Sequence, residues 1–217
     1  MESEFTEISL HCHLEGTNLQ GADLYGANLQ EANLQGVDFY GADLQETNFQ
    51  GANLQEAKLG GAKLEGAYFI GVHFQGANLQ GVNFKKVHFQ GADLRGANLQ
   101  GIELSGADLQ EVDFEGANLI GANLQGANLQ GANLQGAELY GADLQGANFQ
   151  GADLEMAHLK LTNLEQANFQ GANLKRAHHL TIDQLSKLKT LYDTKLDDEL
   201  LKIMKEKYPV LFEKPDR

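Results

Sequence analysis

Cysteine is almost missing from this chain. Cys12 is the only one in 217 residues, so no disulfide can form within it, which suits a reducing compartment. Long apolar runs are missing too, and nothing approaches the ~20 residues that span a bilayer. The opening Met-Glu-Ser-Glu-Phe-Thr-Glu is acidic and lacks the basic and apolar segments of a secretory signal. These absences predict a cytoplasmic protein with no membrane segment. Base is scarce: 16 Lys and Arg face 30 Asp and Glu, a formal net charge of −14. Nucleic acid and anionic lipid repel such a chain, so another protein is the expected direct partner.

Catalytic groupings are absent as well. No Ser/His/Asp or Cys/His set gathers in one place. The glycines are spaced by five, unlike a loop that cradles phosphate. General acid–base work needs carboxylates facing each other across a cleft, whereas here they recur at intervals along the chain. The expectation is a protein that is no enzyme and carries neither cofactor nor metal. His11-Cys12-His13 has metal-ligand residue types. Alternation along a strand puts Cys12 on the face opposite the two histidines, so the three do not converge.

One further absence concerns the pattern itself, which has no break. From Leu14 to Leu174 every fifth residue is Leu or Phe. Two residues before this central position stands a small residue, usually Ala, and one before it stands mostly Asn or Asp. Residues 121–135 are Gly-Ala-Asn-Leu-Gln three times over. A period of five is no multiple of 3.6, so the run is not helical; nor is it the period of two of a long strand. A short extended piece followed by a tight turn fits. The central and small residues point inward and the residue between them points out. Glycine two after the centre, as at Gly16, Gly21, Gly26 and Gly36, supplies the positive φ that a type II turn needs at its third position. Glu31, Glu46, Glu56, Lys86 and Glu111 break that rule, so those corners either use another turn type or tolerate strain.

Ala-(Asp/Asn)-Leu-X-X in tandem resembles the pentapeptide-repeat proteins, over about three quarters of the chain. The resemblance implies an all-β solenoid: a right-handed quadrilateral β-helix of about eight coils, with four pentapeptides per coil. Residues n and n+20 then stack directly, in a rod of roughly 40 Å. On that geometry Phe49, Phe69 and Phe89 stack, as do Phe149 and Phe169. The interior is filled by side chains, leaving no room for a small-molecule pocket. His73 lies over Asp93, Asp38 over Lys58 and Asp43 over Lys63. Asp93 over Asp113 is a like-charge contact with a small cost. Outward Asn and Gln side chains can ladder amide to amide, and Glu138, His158 and His178 form one column.

The same geometry sorts charge by wall. One wall holds Asp38, Glu138, Lys58 and Lys160 and is neutral. It presents Tyr40, Ile120, Tyr140 and the nearby Leu161, with His158 in its column, and these five residues are the candidate protein-contact wall. The other walls are acidic to differing degrees, interrupted at Lys63, Lys85 and Lys86. Relatives of this type include proteins that mimic DNA, binding gyrase, a type II topoisomerase, to inhibit it or protect it from quinolones. Residues 11–180 hold 19 acids and 8 bases, about one net charge per ~3.6 Å of rod against one per ~1.7 Å in duplex DNA. The gyrase-protecting type also carries projecting loops, which this run lacks.

The ends depart from the period. Residues 1–11 are expected as an N-terminal cap strand, with Ile8, Leu10, Cys12 and Leu14 inward, and 12–178 as the repeat. Residues 179–217 are expected as an α-helical cap, beginning where His179 replaces the Leu or Phe that is due. Thr181-Ile-Asp-Gln184 has the form of a capping box, and Leu185, Leu188 and Tyr192 share a face at helical spacing. Asp197 or Asp198 opens a second helix with Leu200, Ile203 and Met204 inward, ended by Pro209. Val210-Leu-Phe212 is expected to tuck against the rod. The lid covers edges that would otherwise pair with other chains. In relatives such C-terminal helices also join two copies as a homodimer.

Overall fold

The computed structural model describes residues 14–80, 82, 84 and 87–215. The N-terminal cap strand, the His11-Cys12-His13 cluster, Lys85 and Lys86 lie outside them. Among the described residues helix is confined to the C-terminal end: α1 (Ile182–Ser186), α2 (Asp198–Lys207) and a 3-10 turn (Pro209–Phe212). The rest is a stack held by single-residue parallel bridges. They pair n with n+20 from Asn18↔Asp38 to His158↔His178. The pairing step is therefore four pentapeptides.

The hydrogen bonds of one pentapeptide show why five residues suffice. Asn123 N–H donates to Ile102 in the layer below (2.9 Å), and Leu124 N–H to Asp143 in the layer above (2.8 Å). Gly126 N–H donates to Gln145 above (2.8 Å), and Ala127 N–H closes the turn onto Leu124 (3.0 Å). That leaves the N–H of Gln125, which donates to the side-chain oxygen of Asn123 at 3.1 Å. All five donors are satisfied, as a buried backbone requires. The Asn or Asp before the centre is thus a turn brace, for which its short polar side chain is suited. The same bond recurs at Asn18, Asp43, Asn98 and Asp153, among others.

Corner residues take φ between +61° and +75° where they are glycine. Glu31, Glu46, Glu56 and Glu111 adopt the same left-handed conformation at +57° to +58°, so these corners keep the turn and tolerate the strain. Met156, Leu161, Gln166 and Arg176 do likewise at +57° to +60°, and they cluster in the last layers before the cap.

Central residues from Leu24 to Leu174 are all buried. Phe49 and Phe69 stack at 5.0 Å between ring centres, Phe69 and Phe89 at 5.5 Å, and Phe149 and Phe169 at 4.8 Å. Phe74 and Phe84 pack against Phe69 from neighbouring columns.

The cap differs from its expected form. The capping box of Thr181 and Gln184 is present, and Gln184 Nε2 also donates to Leu159 O (2.9 Å) and Thr162 Oγ1 (2.8 Å). Yet α1 has only five residues, and Leu188 and Tyr192 are not on it. Instead the stack resumes: Thr190 bridges Asn168 and Lys195 bridges Asn173, at a step of 22 rather than 20. Leu191 and Leu196 take the central position and are buried. Two extra residues absorbed by α1 thus hide the return of the period. Asp197 stands at the N-cap position of α2 but makes no side-chain cap bond; its carboxylate instead accepts from Arg176 N–H at 3.1 Å. Met204 is buried, and Leu200, Leu211 and Phe212 pack on the core while Val210 stays exposed. Pro209 opens the 3-10 turn, whose Leu211 carbonyl receives Leu191 N–H at 2.6 Å.

Candidate functional site

Side chains outside the core form directional ladders. Asn168 donates to Asn148 (2.9 Å), Asn148 to Asn128 (3.1 Å) and Asn128 to Asp108 (3.3 Å). Glutamines mostly do not ladder amide to amide as expected. Gln80 reaches Gln100 at 3.4 Å, but Gln20, Gln90 and Gln135 donate to the aspartate 18 residues on, at 2.8–2.9 Å. The reason is charge: a carboxylate is the stronger acceptor. Burial pushes the Asp108 carboxyl up, but amides of Gln110, Gln90 and Asn128 and the backbone N–H of Gln110 more than offset this and hold it below the usual range.

Two of the three anticipated charge contacts form as ion pairs, Lys63 with Asp43 at 3.1 Å and Lys58 with Asp38 at 4.0 Å; His73 does lie over Asp93, but the carboxylate of Asp93 pairs with Arg95. Asp93 and Asp113 do face each other, but their repulsion is relieved. Arg95 reaches Asp93 at 2.6 Å and Asp113 at 3.6 Å. Burial raises the Asp93 carboxyl, and the Arg95 guanidinium outweighs it and keeps the group low. Replacing Arg95 with Gln should lower the melting midpoint at low ionic strength, and the loss should shrink in high salt as the bare aspartates are screened. A salt-independent change in thermal melts would contradict this account.

The five candidate contact residues fall on one face. Its column runs Asn18, Asp38, Lys58, Asn78 and on to Glu138, His158 and His178. Tyr40 (63% exposed), Tyr140 (44%) and Leu161 (67%) project, and Ile120 and His158 are half-buried. They do not make one patch. Tyr40 and Tyr140 are five pairing steps apart, roughly 24 Å. Tyr40 lies over Gly60, where an added Cβ would come within 3.3 Å of its ring. At the other end Ile120, Tyr140 and Lys160 are consecutive in one row, with Lys160 Nζ 5.9 Å from the Tyr140 ring centre.

Other exposed apolar groups escaped the sequence reading. Tyr68 (41%) stacks on His88 at 5.4 Å beside Ile70 (37%), and Met156 is 46% exposed. Met156 carried a usable signal, since it stands at a corner where glycine is the rule. His158 Nδ1 is 3.5 Å from Glu138 Oε2, and its ring centre is 4.5 Å from that of His178. Among the described residues no group of three His, Cys, Asp or Glu stands ready to hold a metal ion, and no helix is long and apolar enough to cross a membrane. A groove of about 630 Å³ separates Leu161 and Asn163 from α1. Chemically the face offers aromatic rings, amides and a few charges.

Comparison with known proteins follows the same geometry. The family model described as pentapeptide repeats matches in eight copies, covering residues 11–45, 47–85 and 88–178 in overlapping segments. Among solved structures, QnrB1, a plasmid-mediated fluoroquinolone resistance protein, is similar at 24% identity. The match covers 93% of this chain and 96% of that one, with a TM-score of 0.54. HetL, a pentapeptide repeat protein involved in heterocyst differentiation regulation from the cyanobacterium Nostoc sp. strain PCC 7120, is 32% identical over 85% of this chain and 84% of its own, with a TM-score of 0.34. A pentapeptide repeat protein from the Arabidopsis thaliana thylakoid lumen is 30% identical over 54% of this chain and 70% of its own, with a TM-score of 0.32. No curated protein sequence matches.

Proposed function

The chain belongs to the pentapeptide-repeat family, and on that premise we propose that it is a right-handed, four-sided β-helix of about eight coils serving as a protein-interaction rod. It does no chemistry of its own. Its partner is a protein, met in the cytoplasm through the face of Tyr40, Ile120, Tyr140, His158 and Leu161, and neither nucleic acid nor membrane binds directly. The observation that carries this reading is the exposure of two tyrosines and a leucine on a face whose charges balance. Aromatic groups on a polar surface supply contact area at low entropic cost, and such groups dominate interface energies. The helical cap is a second contact, through which two copies pair.

The test is a triple variant, Tyr40→Ser, Ile120→Ser, Tyr140→Ser. Melting should change little, because none of the three is a core residue, while partners captured from the native cell by the parent chain should be lost. Retention of every partner would overturn the contact face. Light scattering at several concentrations decides the dimer.

A second reading is favoured by the acidic columns, above all Asp93, Asp113 and Asp153 with Glu115 and Glu155. In it the rod occupies the DNA site of a type II topoisomerase, inhibiting or protecting it, and the fold shared with QnrB1 is consistent with that. Arg95 and Lys63 dilute the acidic field, which is why the first reading is preferred. A gyrase supercoiling assay, with and without a quinolone, separates them: no effect at micromolar protein removes the second.

A further inference from the structure

Two features of the face that carries Tyr40 and Tyr140 are not required by the repeat. The first is Gly60. It stands directly after a centre, where glutamine is the rule and no other unit from Leu14 to Leu174 has glycine. Its backbone is not left-handed, so the turn does not call for glycine there. The missing side chain leaves a notch of about 380 Å³ beside Tyr40, bordered by Lys58, Asn78 and Gln80. The second is the gap between the two tyrosines, five layers or ~24 Å.

The row that holds these residues is complementary to its own reverse. From layer 20 to layer 160 it runs Gln, Tyr, Gly, Gln, Gln, Ile, Tyr, Lys. Lay a second copy antiparallel on this face, with a two-fold axis between Gln80 and Gln100. Tyr40 of each copy then meets Tyr140 of the other, and Ile120 meets the notch at Gly60, an apolar side chain against a recess. Leu161, 67% exposed, comes over the corner of Gly21, where an added Cβ would find nothing within 4 Å. A two-fold contact demands such a match, since residue i meets j and j meets i. At the axis Gln80 Nε2 donates to Gln100 Oε1 within one copy at 3.4 Å. A bond from Gln100 Nε2 to Gln80 Oε1 of the second copy closes a ring of four amides.

Charge favours a second copy as the occupant. The chain carries a net −14 and repels its own kind across the acidic walls. On this face Asp38 and Glu138 are balanced by Lys58 and Lys160. The antiparallel register does set Asp38 against Glu138, a like-charge contact. Lys58 offsets it, one layer away and 4.0 Å from Asp38.

We propose that this face is a two-fold interface joining two copies of the chain as antiparallel rods, with Tyr40 against Tyr140, Ile120 seated in the notch at Gly60, and Gln80 and Gln100 at the axis. The inference rests on the contact-face reading above and names its occupant. The gap between the tyrosines is then the spacing that places both aromatic pairs symmetrically about the axis.

The experiment mixes two full-length chains, both carrying Cys12→Ser. One has Gln20→Cys and an affinity tag, the other has Lys160→Cys and no tag, and a short bis-maleimide is added. The register sets these two positions opposite each other, whereas within one copy they lie seven layers, ~34 Å, apart. A mixed cross-linked species, recognised by its size, is expected at micromolar protein, and Gln20→Cys alone should give none. Light scattering of the parent should show mass rising with concentration. Gly60→Gln restores the usual residue and fills the notch, so it should weaken association at least tenfold and remove the mixed product. Ile120→Gln should do the same. Both put the repeat's usual residue on the surface, so melts of the dilute chains should match the parent and show that the variants fold. If no mixed product forms, or if Gly60→Gln leaves it unchanged, the second copy is not the occupant. The contact face itself is judged separately, by whether the triple serine variant loses its captured partners.

Discussion

Phe69→Ala is expected to lower the melting midpoint by roughly 10 °C, corresponding to about 3–5 kcal/mol for an aromatic ring removed from a filled core in a chain of this length. Phe69 is fully buried, stacked between Phe49 and Phe89 and flanked by Phe74 and Phe84 at 5.0 and 6.0 Å. The cavity has little means of collapse. The layers above and below are fixed by bridges such as Phe49 N–H to Tyr68 O at 2.8 Å and Phe69 N–H to His88 O at 2.9 Å, so neighbouring rings cannot slide in without breaking them. In a stack each layer touches only its neighbours, so the loss stays local. Hydrogen exchange should speed up around residues 49–89 and change little around residues 129–169. Phe69→Leu, which refills most of the volume, should cost far less. A fall of only a degree or two for Phe69→Ala, measured by calorimetry, would mean that the neighbouring layers do close over the cavity and the account of a rigid stack is wrong.

What the sequence made legible follows from which features repeat. A central residue every five positions identified all the buried Leu and Phe between Leu24 and Leu174, because burial here is decided by position within one short unit. The column contacts Asp38–Lys58 and Asp43–Lys63 became readable once the step of twenty was supplied by resemblance; a period of five alone fits any number of units per layer. The Asn and Asp before each centre were assigned to ladders, and their larger duty, bracing the turn through the N–H two residues on, was missed. Counting donors in one unit would have exposed it, since the fifth N–H has no partner in the neighbouring layers. Tyr40, Ile120, Tyr140 and His158 share the column side that the step of twenty implies, but Tyr40 and Tyr140 are separated by five layers. Exposure of Tyr68, Ile70 and Met156 depends on neighbouring side chains that periodicity does not describe. The cap was the hardest part. Leu185, Leu188 and Tyr192 fit a helix and Leu191 and Leu196 fit the pentapeptide spacing, and only tertiary pairing to Asn168 and Asn173 decides between them.

That pairing makes the cap the element whose removal should be felt most. A chain ending at Thr181 is expected to aggregate. Without the cap the backbone donors of Gln166, Phe169, Gly171 and Leu174 lose Lys187, Thr190, Tyr192 and Lys195 as partners. The carbonyl of Phe169 loses the Thr194 hydroxyl at 2.6 Å. Leu164, Phe169 and Leu174, now buried at 0–2% exposure, would face solvent on a row of open edges, the arrangement that recruits other chains. A repeat stack has no second core to fall back on, and terminal units with a polar outer face are needed for solubility. The truncated chain should accordingly appear in light scattering as large species and in the insoluble fraction on expression. Leu191→Asp in the full chain separates the lid from the edge. It keeps both helices but sets a charge in the buried central position, so it should melt at lower temperature and still keep the parent's oligomeric state, without large species, below that melt. If the truncated chain stayed soluble and melted like the parent, the half layer of Leu191 and Leu196 would be an appendage, and the stack would have to end on its own last layer.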